Sequence, residues 1–473
     1  MLDRFYISPK AFIHFLPAAI IALIFFMSRR SFLIDVTLDQ DELFSWMLIS
    51  GSWLDFFNII LRDSQQFLYF ALVKIWQDIL STQSDYLVRM PSLIFASLTV
   101  GLTFHLMREI FSGLIAVVVA AFLVQNPVFG YFATYHRPYS LLCFLIIMII
   151  FSVWRLIEGR QKEFYSNLFL IFTVLLLYTH YLGLIFSFSI IIIMLLLGIK
   201  LTVNTRKLAF LAIVMALYCL QLVYQFEHSL KLIEWTKGNG YFEFIGFAYL
   251  FKFAHRNPLA IATYFCLFLF LISLVKRDIQ RNSPQNIFIL FNFYSFLLGI
   301  LIFFLLSLSQ VSLLVDRYLL VFLIFLLAPI SYSLSIICNR KDGEVFLAFL
   351  LLFISADRNK LFGHEERLNV KGFFKQLRDK KYFKNEDRIL CLYDGPYVGV
   401  LTQYSKMSLK RDICSRHIGT GEFQQDVLDQ GYDYVIRSLD FKSKEYNRQV
   451  FTIPGSSKVL YSSRDFIIYQ TGR

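Results

Sequence analysis

The feature that most constrains this chain is a succession of apolar blocks on the scale of a bilayer's hydrocarbon core. Examples are Leu168–Tyr178, Leu182–Ile199, Leu259–Val275 and Ile287–Leu306. A core of about 30 Å takes roughly 17–25 helical residues to cross. Backbone groups in hydrocarbon have no water to bond, so such blocks read as helices, whose hydrogen bonds close internally. Their residues do not alternate polar with apolar, which excludes an outer-membrane barrel. Composition agrees: 17% of the residues are charged and 57% hydrophobic, against about 25% charged in an average soluble chain.

The pattern predicts an α-helical polytopic membrane protein with about eleven transmembrane helices. They fall near residues 11–28, 87–107, 113–130, 138–156, 166–179, 181–199, 207–224, 257–275, 286–307, 317–338 and 344–356. Arg29 and Arg30, rather than a small-residue cleavage site, follow the first block, so it reads as an uncleaved helix. An odd number of crossings puts the termini on opposite sides. Arg108, Arg155, Arg160, Lys162, Lys200, Arg206, Lys207, Lys276, Arg277, Arg281, Arg340 and Lys341 then share a side with Arg4 and Lys10. By the positive-inside rule that side is cytoplasmic, which makes the N-terminus cytoplasmic in an inner, cytoplasmic membrane. The net charge of +12 reflects these loops and calls for no nucleic-acid partner.

Residues 1–356 are read as the membrane domain, with an outer loop at 29–86. Within that loop Phe67–Leu80 is apolar but too short to span comfortably, and is expected to lie at the interface as a juxtamembrane helix. Residues 357–473 form a polar, extracytoplasmic domain. Strand-like 388–393, 434–436 and 466–469 alternate there with helix-like 368–381, 397–404 and 422–430, the pattern of a small α/β layer.

Polar residues collect at the outer ends of the helices. Asp41 and Glu42 follow the first helix, and adjacent carboxylates at a membrane boundary are costly unless they have a partner or a task. They also suit a helix N-terminus, where the dipole favours acidic residues. Tyr135–His136–Arg137–Pro138–Tyr139 opens one helix, Thr179–His180–Tyr181 makes a tight turn, and Asp316–Arg317–Tyr318 opens another. Singly, these are ordinary interface anchors and local pairs. Together they outline a site for an anion, because the arginine fork bonds phosphate bidentately and a carboxylate nearby can take a proton from an attacking hydroxyl.

The same motifs carry a resemblance. Asp41–Glu42, Phe67–Leu68–Tyr69–Phe70, Val88–Arg89–Met90–Pro91–Ser92, His136–Arg137–Pro138–Tyr139, Thr179–His180–Tyr181 and Arg317–Tyr318 occur in this order. The chain thereby resembles the GT-C superfamily of polyprenyl-phosphate-sugar-dependent glycosyltransferases, in the bacterial group related to protein O-mannosyltransferases and lipid A aminoarabinose transferases. The resemblance implies inverting transfer of a sugar from a polyprenyl-phosphate donor to an acceptor hydroxyl at the outer membrane face. Asp41 would be the general base, and Glu42 would orient the acceptor or bind a divalent cation; no cofactor is certain. Arg137 and Arg317 would hold phosphate, with Tyr139, His180, Tyr318 and Arg89 as further substrate contacts. The acceptor, whether protein, glycolipid or polysaccharide, is not named by the residues. Two departures stand out: Gln65–Gln66 replace the usual proline pair, and Tyr135 replaces a glutamate. Helix number alone also permits a transporter or flippase, and the departures leave room for a catalytically silent binder of lipid-linked sugar.

Overall fold

Apolar blocks that must satisfy their own backbone become helices throughout the larger part of the structure. The computed structural model describes residues 9–30, 33, 38, 40–62, 65–81, 84–229, 258–276, 279, 283–307 and 316–338, and the strand segments 389–393, 416–419, 434–438, 458–462 and 466–470. The chain divides into two compact units, Met1–Ser31 with Leu48–Gly363, and Phe32–Met47 with His364–Arg473.

The first unit is helical. It holds α1 (Pro9–Arg30), the end of α2 (Gln40–Ser50), α3 (Trp53–Arg62), α4 (Phe67–Leu80), α5 (Asp85–Ile110), α6 (Gly113–Gln125) and α7 (Pro127–Ala133). It continues with α8 (Tyr139–Ile157), α9 (Lys162–Leu177), α10 (Leu182–Leu196), α11 (Thr205–Ser229), α12 (Pro258–Val275), α13 (Pro284–Ser307) and α14 (Asp316–Cys338). Six of these are long and apolar enough to cross a membrane: α1, α5, α8, α11, α13 and α14. Gly113–Gln125, Leu182–Leu196 and Phe265–Val275 are shorter apolar helices. This is a multi-pass membrane protein, and the α-helical class read from the sequence holds. Ten of the eleven expected helices coincide with observed ones; the eleventh, at 344–356, lies outside the described residues.

Helix α5 packs on α1, α6 and α8, and α14 on α12, α13 and α8. The α1–α5 contact is a close one. A Cβ on Gly101 would come 2.8 Å from the Ala18 carbonyl oxygen, so the missing side chain is what lets the backbones meet. Outward faces are apolar, as Leu208, Phe210, Ile213, Leu217 and Leu220 are on α11. Where the solvent is lipid, such exposure carries no penalty. At the ends of α5 and α8 charge is buried in pairs. Arg155 donates from Nη1 to Glu109 Oε1, from Nη2 to Glu109 Oε2 at 2.7 Å, and from Nη1 to Glu158 Oε2 at 2.9 Å. Arg160 lies 3.1 Å from Glu158. Part of the basic side foreseen from the loops is thus neutralised internally.

Two local breaks were not foreseen, though their signals are present. Ser52 and Asp55 form a reciprocal cap at the start of α3, with Ser52 N–H donating to Asp55 Oδ2 at 3.1 Å and Asp55 N–H to Ser52 Oγ at 3.1 Å. That is the capping-box pattern, with aspartate at the fourth position. The predicted continuous helix 113–130 is instead interrupted at Asn126, whose Oδ1 accepts from Phe129 N–H at 3.0 Å, with Pro127 at the first position of α7. Asparagine before proline is a helix start, and the apolar run concealed it.

In the second unit the described strands form one mixed sheet in the order β2 (Arg416–Gly419), β1 (Ile389–Tyr393), β3 (Tyr434–Ser438), β5 (Phe466–Gln470), β4 (Lys458–Ser462). β1 runs parallel to β2 and β3, while β5 is antiparallel to β3 and β4. The strands expected at 388–393, 434–436 and 466–469 coincide with β1, β3 and β5. The helices predicted at 368–381, 397–404 and 422–430 lie outside the described residues.

The turn between α9 and α10 is tight because it is built on glycine. Gly183 N–H donates to His180 O at 2.7 Å, and a Cβ there would stand 2.3 Å from Leu176 O. Gly183→Ala is expected to destabilise the protein by about 1–3 kcal/mol, the usual cost of overpacking, read as a lowered unfolding midpoint in lipid–detergent micelles.

Candidate anion site

Helices α8 and α9 are antiparallel neighbours joined by a short loop, so the start of α8 and the end of α9 lie at the same end of the bundle. Arg137 therefore comes beside the α9–α10 turn that carries His180. Its backbone is held in a narrow turn: Arg137 N–H donates to Tyr135 O at 2.7 Å, and Ser140 Oγ–H donates to Phe132 O at 2.8 Å. The start of α14 brings Arg317 and Tyr318 to the same place. The ring of His180 lies 5.9 Å from that of Tyr139 and 5.5 Å from that of Tyr318. Tyr181 O–H donates to Tyr318 Oη at 2.6 Å. Arg317 Cζ stands 5.3 Å from the centre of the Tyr318 ring.

The electrostatics follow from burial and sign. Arg137 and His180 are buried, while Arg317 is partly exposed. His180 Nδ1 accepts from Leu182 N–H at 3.2 Å, which leaves the ring proton on Nε2. Burial, with Arg317 and Arg137 close by, pushes the His180 pKa down to about 3. Two arginines from other elements thus act on a neutral histidine. Burial also pushes the Tyr181 hydroxyl well above its ordinary value, with Tyr318 against it.

Of the residues singled out from sequence, Arg137, Tyr139, His180, Arg317 and Tyr318 are brought together. Arg89 lies in the first turns of α5 and is almost wholly buried. Asp41 and Glu42 stand in the first turn of α2, in the second unit, Glu42 buried and Asp41 partly so. The helix start read from the acidic pair is correct. Tyr135 packs its ring against Tyr131 at 5.3 Å and Phe132 at 5.5 Å. It thus fills with aromatic surface the position where a glutamate was expected.

Sequence reasoning did not foresee how the site is tied to α4. Leu68 N–H donates to Tyr178 O at 2.8 Å, beside Thr179 and His180. Tyr69 Oη lies 2.7 Å from Ser92 Oγ and 3.1 Å from His136 Nδ1. The glutamines that replace the proline pair are also engaged. Gln66 Nε2–H donates to Gln225 Oε1 at 3.1 Å, and Gln225 Nε2–H to Gln65 O at 2.9 Å, which joins this segment to α11. The residues were visible in the motifs, but their partners are distant in sequence.

In sequence the chain matches no family model and no curated protein. In structure it is similar to ArnT from Cupriavidus metallidurans in the apo state, with a TM-score of 0.54 and 11% identity over 97% of each chain. It is also similar to the same protein bound to undecaprenyl phosphate, with a TM-score of 0.53 and 10% identity over 98% of this chain and 99% of that one. The chain shares the fold of these ArnT structures. The Archaeoglobus fulgidus oligosaccharyltransferase in complex with zinc and sulfate aligns at a TM-score of 0.49 and 14% identity, over 90% of this chain and 68% of that one. Among the described residues, no group of three or more His, Cys, Asp or Glu side chains could hold a metal ion.

The depressed pKa has a measurable consequence. His180 is expected to remain neutral from pH 8 to pH 4, seen as an unchanged imidazole nitrogen resonance in NMR of selectively labelled protein. Because the unfolded chain takes up this proton near its ordinary value of about 6.5 and the folded protein does not, His180 contributes a loss of stability as pH falls from there toward about 3.

Proposed function

We propose that this protein is a membrane glycosyltransferase. It moves a sugar from a polyprenyl-phosphate-linked donor to an acceptor hydroxyl, with inversion, at the outer face of the cytoplasmic membrane. The observation that carries the reading is the pair Arg137 and Arg317 around neutral His180, at one end of an apolar bundle. The fold adds support, since it is shared with an ArnT structure that contains undecaprenyl phosphate.

In this reading the donor's isoprenoid lies against the apolar helices and its phosphate meets the arginines. As the glycosidic bond breaks, charge gathers on the phosphate oxygens, and fixed donors aimed at that charge lower the barrier. Arg137 and Arg317 supply them, with the Tyr318 hydroxyl nearby, held by the Tyr181 O–H. Tyr139 and His180 shape the wall of the site, and Arg89 supports its edge. Asp41 is the general base that takes the acceptor proton, and Glu42 orients the acceptor or holds a divalent cation. The N-terminus is cytoplasmic, and the unit bearing the sheet is extracytoplasmic. Acceptor candidates are a protein, a glycolipid or a polysaccharide.

One observation favours a second reading, in which the protein binds a lipid-linked sugar without turning it over. Tyr135 occupies an aromatic stack in place of an acidic side chain.

Purified protein in lipid, incubated with radiolabelled polyprenyl-phosphate sugars and candidate acceptors, distinguishes the two. The expected result is sugar transfer that falls by roughly 10²- to 10⁴-fold in Asp41→Asn, the range for loss of a general base. Transfer at the wild-type rate in that variant removes Asp41 from its role. Binding of labelled lipid without consumption establishes the second reading. Arg137→Ala is expected to weaken donor binding roughly 10- to 100-fold, as loss of charge-assisted hydrogen bonds does, measured by titration with undecaprenyl phosphate.

A further inference from the structure

We infer that Tyr69, on the short helix α4, is a positioning residue for Arg137, acting through a buried hydrogen-bond relay with Ser92 and His136. The inference rests on the reading of Arg137 as a phosphate ligand, and assigns a task to three side chains that touch no substrate in that reading.

The contacts form one continuous chain. The Arg137 carbonyl can only accept, and Ser92 Oγ lies 3.4 Å from it as donor. Ser92 Oγ and the Tyr69 hydroxyl share a hydrogen bond at 2.7 Å. Tyr69 Oη in turn lies in hydrogen-bond contact with His136 Nδ1 at 3.1 Å. The relay runs from the His136 ring through Tyr69 and Ser92 to the Arg137 carbonyl, so it ties the side chain of one residue to the backbone of the next across two other helices. Tyr69, Ser92 and His136 are all completely buried. A polar relay in a buried place has no water to substitute for a missing member, so each hydroxyl is tied to one geometry.

The relay matters because of where it is anchored. Beside Tyr69, Leu68 N–H reaches Tyr178 O at 2.8 Å, and the Phe70 ring packs edge-on against the Tyr69 ring at 5.3 Å. Helix α4 therefore touches both the turn carrying His180 and the turn carrying Arg137, and sets one against the other. A bidentate arginine must meet phosphate in a defined orientation, and its side chain starts from a backbone that this relay restrains.

The experiment is a double-mutant cycle read by equilibrium titration with undecaprenyl phosphate in lipid–detergent micelles. Tyr69→Phe keeps the buried ring and deletes only the hydroxyl. Its dissociation constant is expected to rise roughly threefold to tenfold, the weight of one buried hydrogen bond, while the number of sites per protein is unchanged. A merely structural role would lower the number of sites and leave the constant alone. In an Arg137→Ala background Tyr69→Phe is expected to have no further effect, since the residue it positions is gone. Ser92→Ala is expected to copy Tyr69→Phe, and Ser92→Thr, which restores the hydroxyl, to recover tight binding. Equal affinity of Tyr69→Phe and wild type overturns the inference, as does a full additional loss in the Arg137→Ala background. If the wild-type protein binds no undecaprenyl phosphate, the phosphate reading falls and the inference with it.

Discussion

Hydrocarbon offers a polypeptide no hydrogen-bond partner, and most of what is distinctive here follows from that one constraint. A chain in lipid must close its backbone bonds within each helix. Side chains along the middle of the helices are then apolar, and the groups able to do chemistry are driven to the helix ends. Arg137 precedes α8, His180 lies between α9 and α10, and Arg317 opens α14. Each is a helix-end residue, and the bundle's antiparallel packing gathers them at one place. The opposite end of α8 and α5 shows the same economy in another form, where Arg155 is buried against Glu109 and Glu158. Removing one partner of such a set leaves an uncompensated buried charge, so these residues are tied to one another whatever their worth relative to an apolar core.

A second consequence concerns the short helices between α1 and α5. They are too short to span, yet they are not loose connections. Lys74, on α4, is buried and donates to the Ile49 and Gly51 carbonyls at 3.1 and 2.7 Å. A cation at carbonyls that the end of a helix leaves open meets the negative end of the dipole. Trp76 Nε1–H reaches Leu87 O at 2.9 Å, which fastens the same helix to the start of α5. With its first turn bonded to Tyr178 and its hydroxyl to His136, α4 acts as a brace across the end of the bundle that holds the candidate site. The amphipathic face that marks such a segment in sequence says only that it lies at a boundary. Its polar contacts give it structural work.

The departures from the family pattern acquire physical content in the same way. Gln65 and Gln66 stand where prolines are usual, and proline would stiffen the entry to α4 by fixing φ. Here the stiffening comes from Gln225 and Gln221 of α11, which bond the segment through side-chain amides. Tyr135, where the resembled motif has an acid, stacks its ring on Tyr131 and Phe132.

The amino-acid sequence by itself determined the membrane setting, the helical class, the positions of ten helices and the short α4, because hydrophobic length is a local property read directly from consecutive residues. It also placed Arg137, His180 and Arg317 at helix ends, and local signals that were overlooked, Ser52 with Asp55 and Asn126 with Pro127, would have located α3 and α7. Only the tertiary structure decided which of those ends meet. The pairing of Tyr69 with His136, of Gln66 with Gln225 and of Arg155 with Glu109 spans 67, 159 and 46 residues of chain. No periodicity encodes such partners, since they depend on how helices pack against one another. The low pKa of His180 belongs to the same category: it arises from burial and from two arginines brought from other elements, and exists only once the bundle has formed.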